Sequence, residues 1–292
     1  MLDRHIHSSL TYTDQFDLTD LLRRICVRAP YFALKDLTSE GDRFGATATA
    51  ERAPSNEVGP MQACEISRHA AICGLCTVAL SFPDSDRRYY LAQDATYVGF
   101  ANHAPYGSVV SFEARLIEKN KRQATAEITV TAGDSELAQL RVTYTILNEP
   151  SFSRLFRSKY SPTFTGLNHH RMPDPPVGEF IFREQTSSLV LESVPEEACA
   201  GHFEHYPAMP VAVLMGQLGI VAGRNYGLPY RVEAATMMAA DFCWAGESAR
   251  FDVTPGDEAG FYNCTAFASG NSISEMTLRL VPGHREAVEA LL

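Results

Sequence analysis

Gly201-His202-Phe203-Glu204-His205-Tyr206-Pro207-Ala208-Met209-Pro210, running on into Val211 to Tyr226, is the stretch whose reading decides the fold. A polar loop carrying histidines passes through two prolines into an apolar segment. Gln217 and Arg224 are the first strongly polar residues in that segment. Pro210 suits the start of a helix, because its fixed φ is helical and its missing N–H would have had no partner there. A helix apolar on nearly every face belongs inside a protein rather than on its surface. His202 is therefore expected beside the N-terminus of a buried helix. There the positive end of the helix dipole and the free backbone N–H groups can hold a carbonyl oxygen.

Working outward, strand-like segments follow this helix at 234–244, 248–253, 259–268 and 272–281. They carry β-branched and aromatic residues with partial alternation. The same order occurs earlier in the chain. An apolar helix at 60–76 is followed by strand-like segments at 87–99, 108–118, 124–132 and 136–147. Asn120-Lys121 and Gly133-Asp134 supply hairpin turns between them. A stretch rich in Pro and Ser, 148–178, separates the two patterns and reads as a linker. The 292 residues suit two domains, 1–150 and 151–292. Gly216, Gly219 and Gly223 sit on adjacent turns of the second helix, where each glycine costs about 1 kcal/mol against alanine. Either a partner helix crosses closely there, or the glycines line a channel.

His202-Phe203, then Pro207, Met209 and Pro210 ahead of an apolar helix, resembles the active-site motif of the β-hydroxyacyl-acyl-carrier-protein dehydratases. The resemblance implies an α+β double hotdog: in each unit a curved antiparallel sheet wraps a long central helix. In that family an acid follows the histidine by fourteen positions, on the helix. Here that place is Gly216, and the family's glycine after the last proline is Val211. Laying Pro60 on Val211 puts Glu65 on Gly216, so the first half offers the acid that the second lacks. The first half has no histidine between Arg52 and Gly59. The resemblance thus implies one shared site. His202 would act as base and Glu65 as acid, with the thioester oxygen held near Val211 and with Phe203, Pro210, Gly216 and His69 around the substrate. It implies dehydration of a β-hydroxyacyl thioester in fatty-acid or polyketide-type biosynthesis, with double-bond isomerisation as a related activity. The partner would be an acyl carrier protein or a coenzyme A thioester.

The chemistry is consistent with these residue types. Imidazole is the natural base near neutral pH. A carboxyl flanked by Cys64 and Ile66 in an apolar helix is expected to have a raised pKa. Glu65 could instead pair with Arg68 or His69, three and four positions on. An ionised Glu65 would suit a hotdog thioesterase that activates water and does not need His202. The departures at Gly216, Val211 and Glu204 fit a third reading, a degenerate hotdog that binds acyl groups without turnover.

Composition narrows the rest. A formal net charge of −10 argues against nucleic acid or an anionic membrane as main partner. An acidic carrier would need a local basic patch, and Arg23, Arg24 and Arg28, or Arg154, Arg157 and Lys159, are the candidates. Seven cysteines scattered along the chain do not resemble a disulfide framework. Cys73 and Cys76 lie within an apolar helix and read as packing residues. No cofactor is implied, and no metal site has zinc spacing; His169-His170 is an isolated pair. The N-terminus lacks the apolar core of a signal peptide, and no membrane span is expected, so the location expected is the cytoplasm. Tandem fusion already supplies a pseudo-dimer, so a homo-oligomer is compatible but not required.

Overall fold

The computed structural model describes residues 17–102, 104–165, 171–183 and 185–283. His169 and His170 lie outside the described residues. The first half contains α1 (Leu18–Arg24), β1 (Lys35–Glu40), β2 (Arg43–Ala48), α2 (Ala63–Leu80), β3 (Arg88–Gly99), β4 (Val110–Lys119), β5 (Gln123–Ala132) and β6 (Ser135–Asn148). A short helix, α3 (Glu149–Leu155), follows. The second half contains β7 (Glu179–Phe182), β8 (Ser187–Leu191), β9 (Ala208–Met209), α4 (Val211–Tyr226), β10 (Tyr230–Ala239), β11 (Cys243–Trp244), β12 (Ala249–Pro255), β13 (Phe261–Ala268) and β14 (Asn271–Pro282).

Twelve strands form one antiparallel sheet in the order β1-β2-β4-β5-β6-β3-β10-β14-β13-β12-β8-β7. Outward from the β3–β10 junction, the two halves repeat the same connectivity. At the junction, β3 and β10 pair from Val98 opposite Ala234 to Asp94 opposite Met238. The sheet therefore continues from one half into the other without an exposed edge between them. Alternation fixes which face is inside: on β4, Val110, Phe112 and Ala114 are buried while Ser111, Glu113 and Arg115 are exposed. Helix α2 packs on β4, β5 and β2; helix α4 packs on β12, β8 and β13; and the two helices touch each other. This is the α+β double hotdog.

Helix α4 has the boundaries expected, with Pro210 one place earlier, as the N-cap. It stops at Gly227, whose φ of +73° is the left-handed conformation that ends helices. Helix α2 is long and apolar enough to span a bilayer, but it is wrapped by the sheet of the first half and largely buried. It begins at Ala63 with Gln62 as N-cap, three residues later than Pro60. The stretch read as a linker contains α3, whose N-cap Asn148 accepts a hydrogen bond from the Ser151 N–H at 2.9 Å. Its Phe152 is fully buried and stacks on Tyr89 with ring centroids 3.6 Å apart.

Candidate functional site

The loop carrying His202 belongs to the second half but is held by the first. Phe203 N–H donates to the Cys26 carbonyl at 3.1 Å, and Arg28 N–H donates to the Gly201 carbonyl at 2.8 Å. Phe203 enters an aromatic cluster with Tyr89, Phe152, Tyr206 and Trp244. Gly201 has φ of +74°, and a Cβ there would collide with the Arg28 carbonyl oxygen and come within 2.6 Å of the Tyr31 nitrogen. Neither obstacle is a flexible side chain, so Gly201→Ala is expected to displace the loop. Loss of activity together with a lowered melting temperature is the expected result, and an unchanged melting curve would contradict it.

The His202 ring lies against Phe203, with centroids 3.8 Å apart, and beside Tyr31 at 5.4 Å. Its Nδ1 is 2.9 Å from the Ala208 carbonyl oxygen. A carbonyl only accepts, so Nδ1 carries the hydrogen and Nε2 keeps its lone pair. Burial lowers the pKa to about 4 from the ordinary 6.5, against the opposing pull of the Ala208 hydrogen bond. The ring is neutral throughout the physiological range.

The folded pKa lies below the unfolded one, so the unfolded chain takes the proton first. The stability that the neutral ring contributes is complete above pH 6.5 and is lost as the pH falls from there through about 4. Any rate that uses Nε2 as base is expected to stay level from about pH 7 to about pH 5. It should then decline with an apparent pKa of about 4. An inflection in kcat/KM near the unperturbed histidine value would contradict this.

His202 opens into a cavity of about 410 Å³. Phe203, Met209 and Val211 line it from the second half, and Tyr31, Ala71 and Leu75 from the first. Val211 begins α4, and no side chain caps that end of the helix. The first N–H groups of a helix have no partner within it, so that of Val211, which lines the cavity, and that of its neighbour Ala212 are left unpaired.

Glu65 is placed elsewhere. It is 2% exposed on the first turn of α2. Its Oε1 accepts from the Glu51 N–H at 2.9 Å and the Arg52 N–H at 3.3 Å, in the loop ahead of its own helix. Burial raises its pKa, with Arg52 opposing. Among the described residues Glu65 lines neither this cavity nor a second one, and it makes no hydrogen bond to His202. The helix boundaries explain why. Counted from the first helical residue, Gly216 is sixth on α4 and Arg68 is sixth on α2. Arg68, not Glu65, therefore occupies the place related to Gly216.

Arg68 is 4% exposed; it pairs with Glu51, and its guanidinium lies 5.8 Å from the centre of the Tyr31 ring. His69 is fully buried, and its Nε2 accepts from the Arg68 Nη2 at 3.0 Å. Burial, reinforced by Arg68, holds the His69 pKa well below the ordinary value. The i,i+3 and i,i+4 partners considered for Glu65 thus engage Glu51 and each other. His69 lines neither the His202 cavity nor the second one described below.

Gly216 lines the second cavity, of about 380 Å³, together with Arg52, Glu57, Cys64, Gly219 and Gly223. Here Glu57 covers the start of α2, accepting from the Ala63 N–H at 2.6 Å. Burial raises the Glu57 pKa to about 7. So the two crevices differ: the helix terminus beside His202 is open, and its counterpart is closed by a carboxyl. Sequence reasoning missed Glu57 and Tyr31 as members of these sites. Their spacing to the helix starts carried no signal, since loop conformation alone brings them in.

The two basic clusters also part. Arg23 and Arg24 pair with Asp20, and Arg28 donates to main-chain carbonyls of its own segment. Arg154 and Arg157 are exposed and make no ion pair among the described residues; they flank Leu155 and Phe156, which line the cavity of His202. No cluster of metal-ligating side chains occurs among the described residues. All seven cysteines are free.

No family model and no curated protein matches the sequence. Solved structures do match. An acyl-ACP thioesterase from Bacteroides thetaiotaomicron has a TM-score of 0.57 at 9% identity, over 82% of this chain and 98% of its own. The 12:0-ACP thioesterase from Umbellularia californica has a TM-score of 0.57 at 10% identity, over 84% and 99%. A tesB protein from Mycobacterium avium subs paratuberculosis has a TM-score of 0.53 at 13% identity, over 92% and 100%. The likeness is one of fold, the double hotdog.

Proposed function

We propose that this chain hydrolyses acyl thioesters, with His202 as the general base. The observation that carries the reading is the orientation of the ring. Nδ1 is committed to the Ala208 carbonyl, and the lone pair of Nε2 is left free on a ring that shares its cavity with the uncapped start of α4 at Val211. Dehydration needs both a base and a proton donor for the leaving hydroxyl, and Glu65 is bound to its own loop rather than to the cavity. Hydrolysis needs one base and an oxyanion site.

In this reading the thioester carbonyl points its oxygen at the Val211 and Ala212 N–H groups. A water gives a proton to Nε2 as its oxygen bonds to the carbonyl carbon. The resulting oxyanion is held by the helix N-terminus. Collapse breaks the carbon–sulfur bond, and the imidazolium returns the proton to the departing thiolate. The products are a free acid and a thiol, and the base is regenerated. Arg154 and Arg157 stand where the phosphate of a pantetheine arm, on a carrier or on coenzyme A, would approach. Three of the fold relatives carry thioesterase or tesB names, which agrees with this chemistry.

Glu65→Gln separates this reading from a two-residue dehydratase. Gln keeps an acceptor for the Glu51 and Arg52 N–H groups, so the fold and hydrolysis are expected to change less than about threefold, the scale of half a kcal/mol. Release of free thiol from an acyl thioester measures this. A loss as deep as that of a His202 variant would return Glu65 to the chemistry.

A further inference from the structure

We propose that the two cavities form one channel for a single long acyl chain whose far end carries a neutral oxygen function. The inference rests on the thioester end lying at His202. A narrow apolar seam of about 20 Å³ lies between the cavities. Ala71 and Val211 line both the seam and the His202 cavity, and Ser67 and Met215 line both the seam and the second cavity.

The helices present matching stripes to this path. On α4, Val211, Met215, Gly219 and Gly223 recur every four residues, on one face. On α2, Ala63, Ser67, Ala71 and Leu75 do the same, running the opposite way between the cavities. From Val211 to Gly223 the axis covers about 18 Å. A long aliphatic chain fits that length, and a short one does not reach the second cavity. The channel accounts for Gly219, where a Cβ would meet nothing within 4 Å, whereas Gly223 makes room for the Tyr230 ring.

The far end is polar. The Arg52 guanidinium reaches Cys64 Sγ at 2.9 Å and Gln62 Oε1 at 3.5 Å, and it makes no ion pair among the described residues. The hydroxyls of Tyr97 and Tyr230, both in the wall, make no hydrogen bond among the described residues. A largely enclosed cation and two such hydroxyls call for an acceptor. Glu57 and Asp174 stand in the same wall, so a hydroxyl or carbonyl oxygen fits better than a carboxylate.

The test is equilibrium binding of S-alkyl pantetheine thioethers, which cannot be hydrolysed, to the full chain. Hexadecyl should bind at least about 100-fold more tightly than hexyl, since ten further methylenes are removed from water in the channel. An ω-hydroxyl on the hexadecyl chain should add about tenfold, and Arg52→Gln should erase that gain. Gly219→Leu should remove the advantage of length and leave hexyl binding unchanged. Equal binding of hexyl and hexadecyl, or long-chain binding indifferent to Gly219→Leu, would overturn the channel. An ω-hydroxyl without effect, or with an effect that survives Arg52→Gln, would overturn the polar end. Hydrolysis of a hexanoyl thioester without any length dependence would remove the channel and spare the catalytic reading. Length-dependent binding without hydrolysis of any thioester would do the reverse.

Discussion

His202→Ala is expected to lower kcat for thioester hydrolysis by about 10²- to 10⁴-fold, the range lost with a general base. The effect should fall on kcat more than on KM, because the apolar walls that bind the chain are left in place. The fold should persist. The loop is held by the Phe203 N–H, by the Gly201 carbonyl and by the Phe203 aromatic cluster, to which the imidazole adds its bond to Ala208 and its contact with Phe203. His202→Gln keeps a polar side chain but supplies no imidazole lone pair, and it should be nearly as inactive. Thiol release measured alongside circular dichroism checks both points. Activity within a few fold of the parent, with a native spectrum, would remove His202 from the chemistry.

The largest effect on stability is expected from Arg68→Met. Arg68 and Glu51 form an ion pair within the protein, and burial lowers the Arg68 pKa to about 10. Removing one partner of a buried pair leaves the other charge uncompensated, at a cost of about 3–5 kcal/mol. His69 would also lose the donor to its Nε2. Arg68→Met combined with Glu51→Leu removes both charges and should recover most of the loss. Denaturant midpoints for the two single variants and the double variant measure this. Additive losses in the double variant would contradict the pairing.

These expectations depend on features that were unevenly legible in the sequence. The apolar run after Pro210 fixed α4, and alternation located β3 to β6 and β12 to β14 within a few residues. A tandem repeat of one helix followed by strands was readable because burial imposes period and order. The start of α2 was not. Pro60 resembles a helix-opening proline, yet the helix waits for Ala63, where Glu57 covers the free N–H from six residues back. That three-residue difference moves Arg68 into the place assigned to Glu65. The partners of Glu65 are main-chain N–H groups of residues 51 and 52, and backbone donors leave no trace in residue identity. Helix α3 did leave a trace: Asn148 followed by Glu149 and Pro150 is a capping signal, outweighed by the prolines further on.

The residues proposed for the site divide in the same way between the two cavities. His202, Phe203 and Val211 meet in one cavity, as their closeness along the chain suggests. Gly216 faces the other cavity, because two helices running in opposite directions carry each one's sixth residue to opposite ends. Tyr31 enters from the first half beside the pairing of segment 26–28 with the His202 loop, a contact made by backbone atoms, and Ala71 enters from α2.

The most direct test of the central claim is mass spectrometry of a β-hydroxyacyl pantetheine thioester incubated with the purified chain. Hydrolysis predicts free β-hydroxy acid and free thiol, with one oxygen of the acid drawn from heavy-oxygen water. An intact thioester lighter by one water, with no thiol released, would show dehydration and contradict the account.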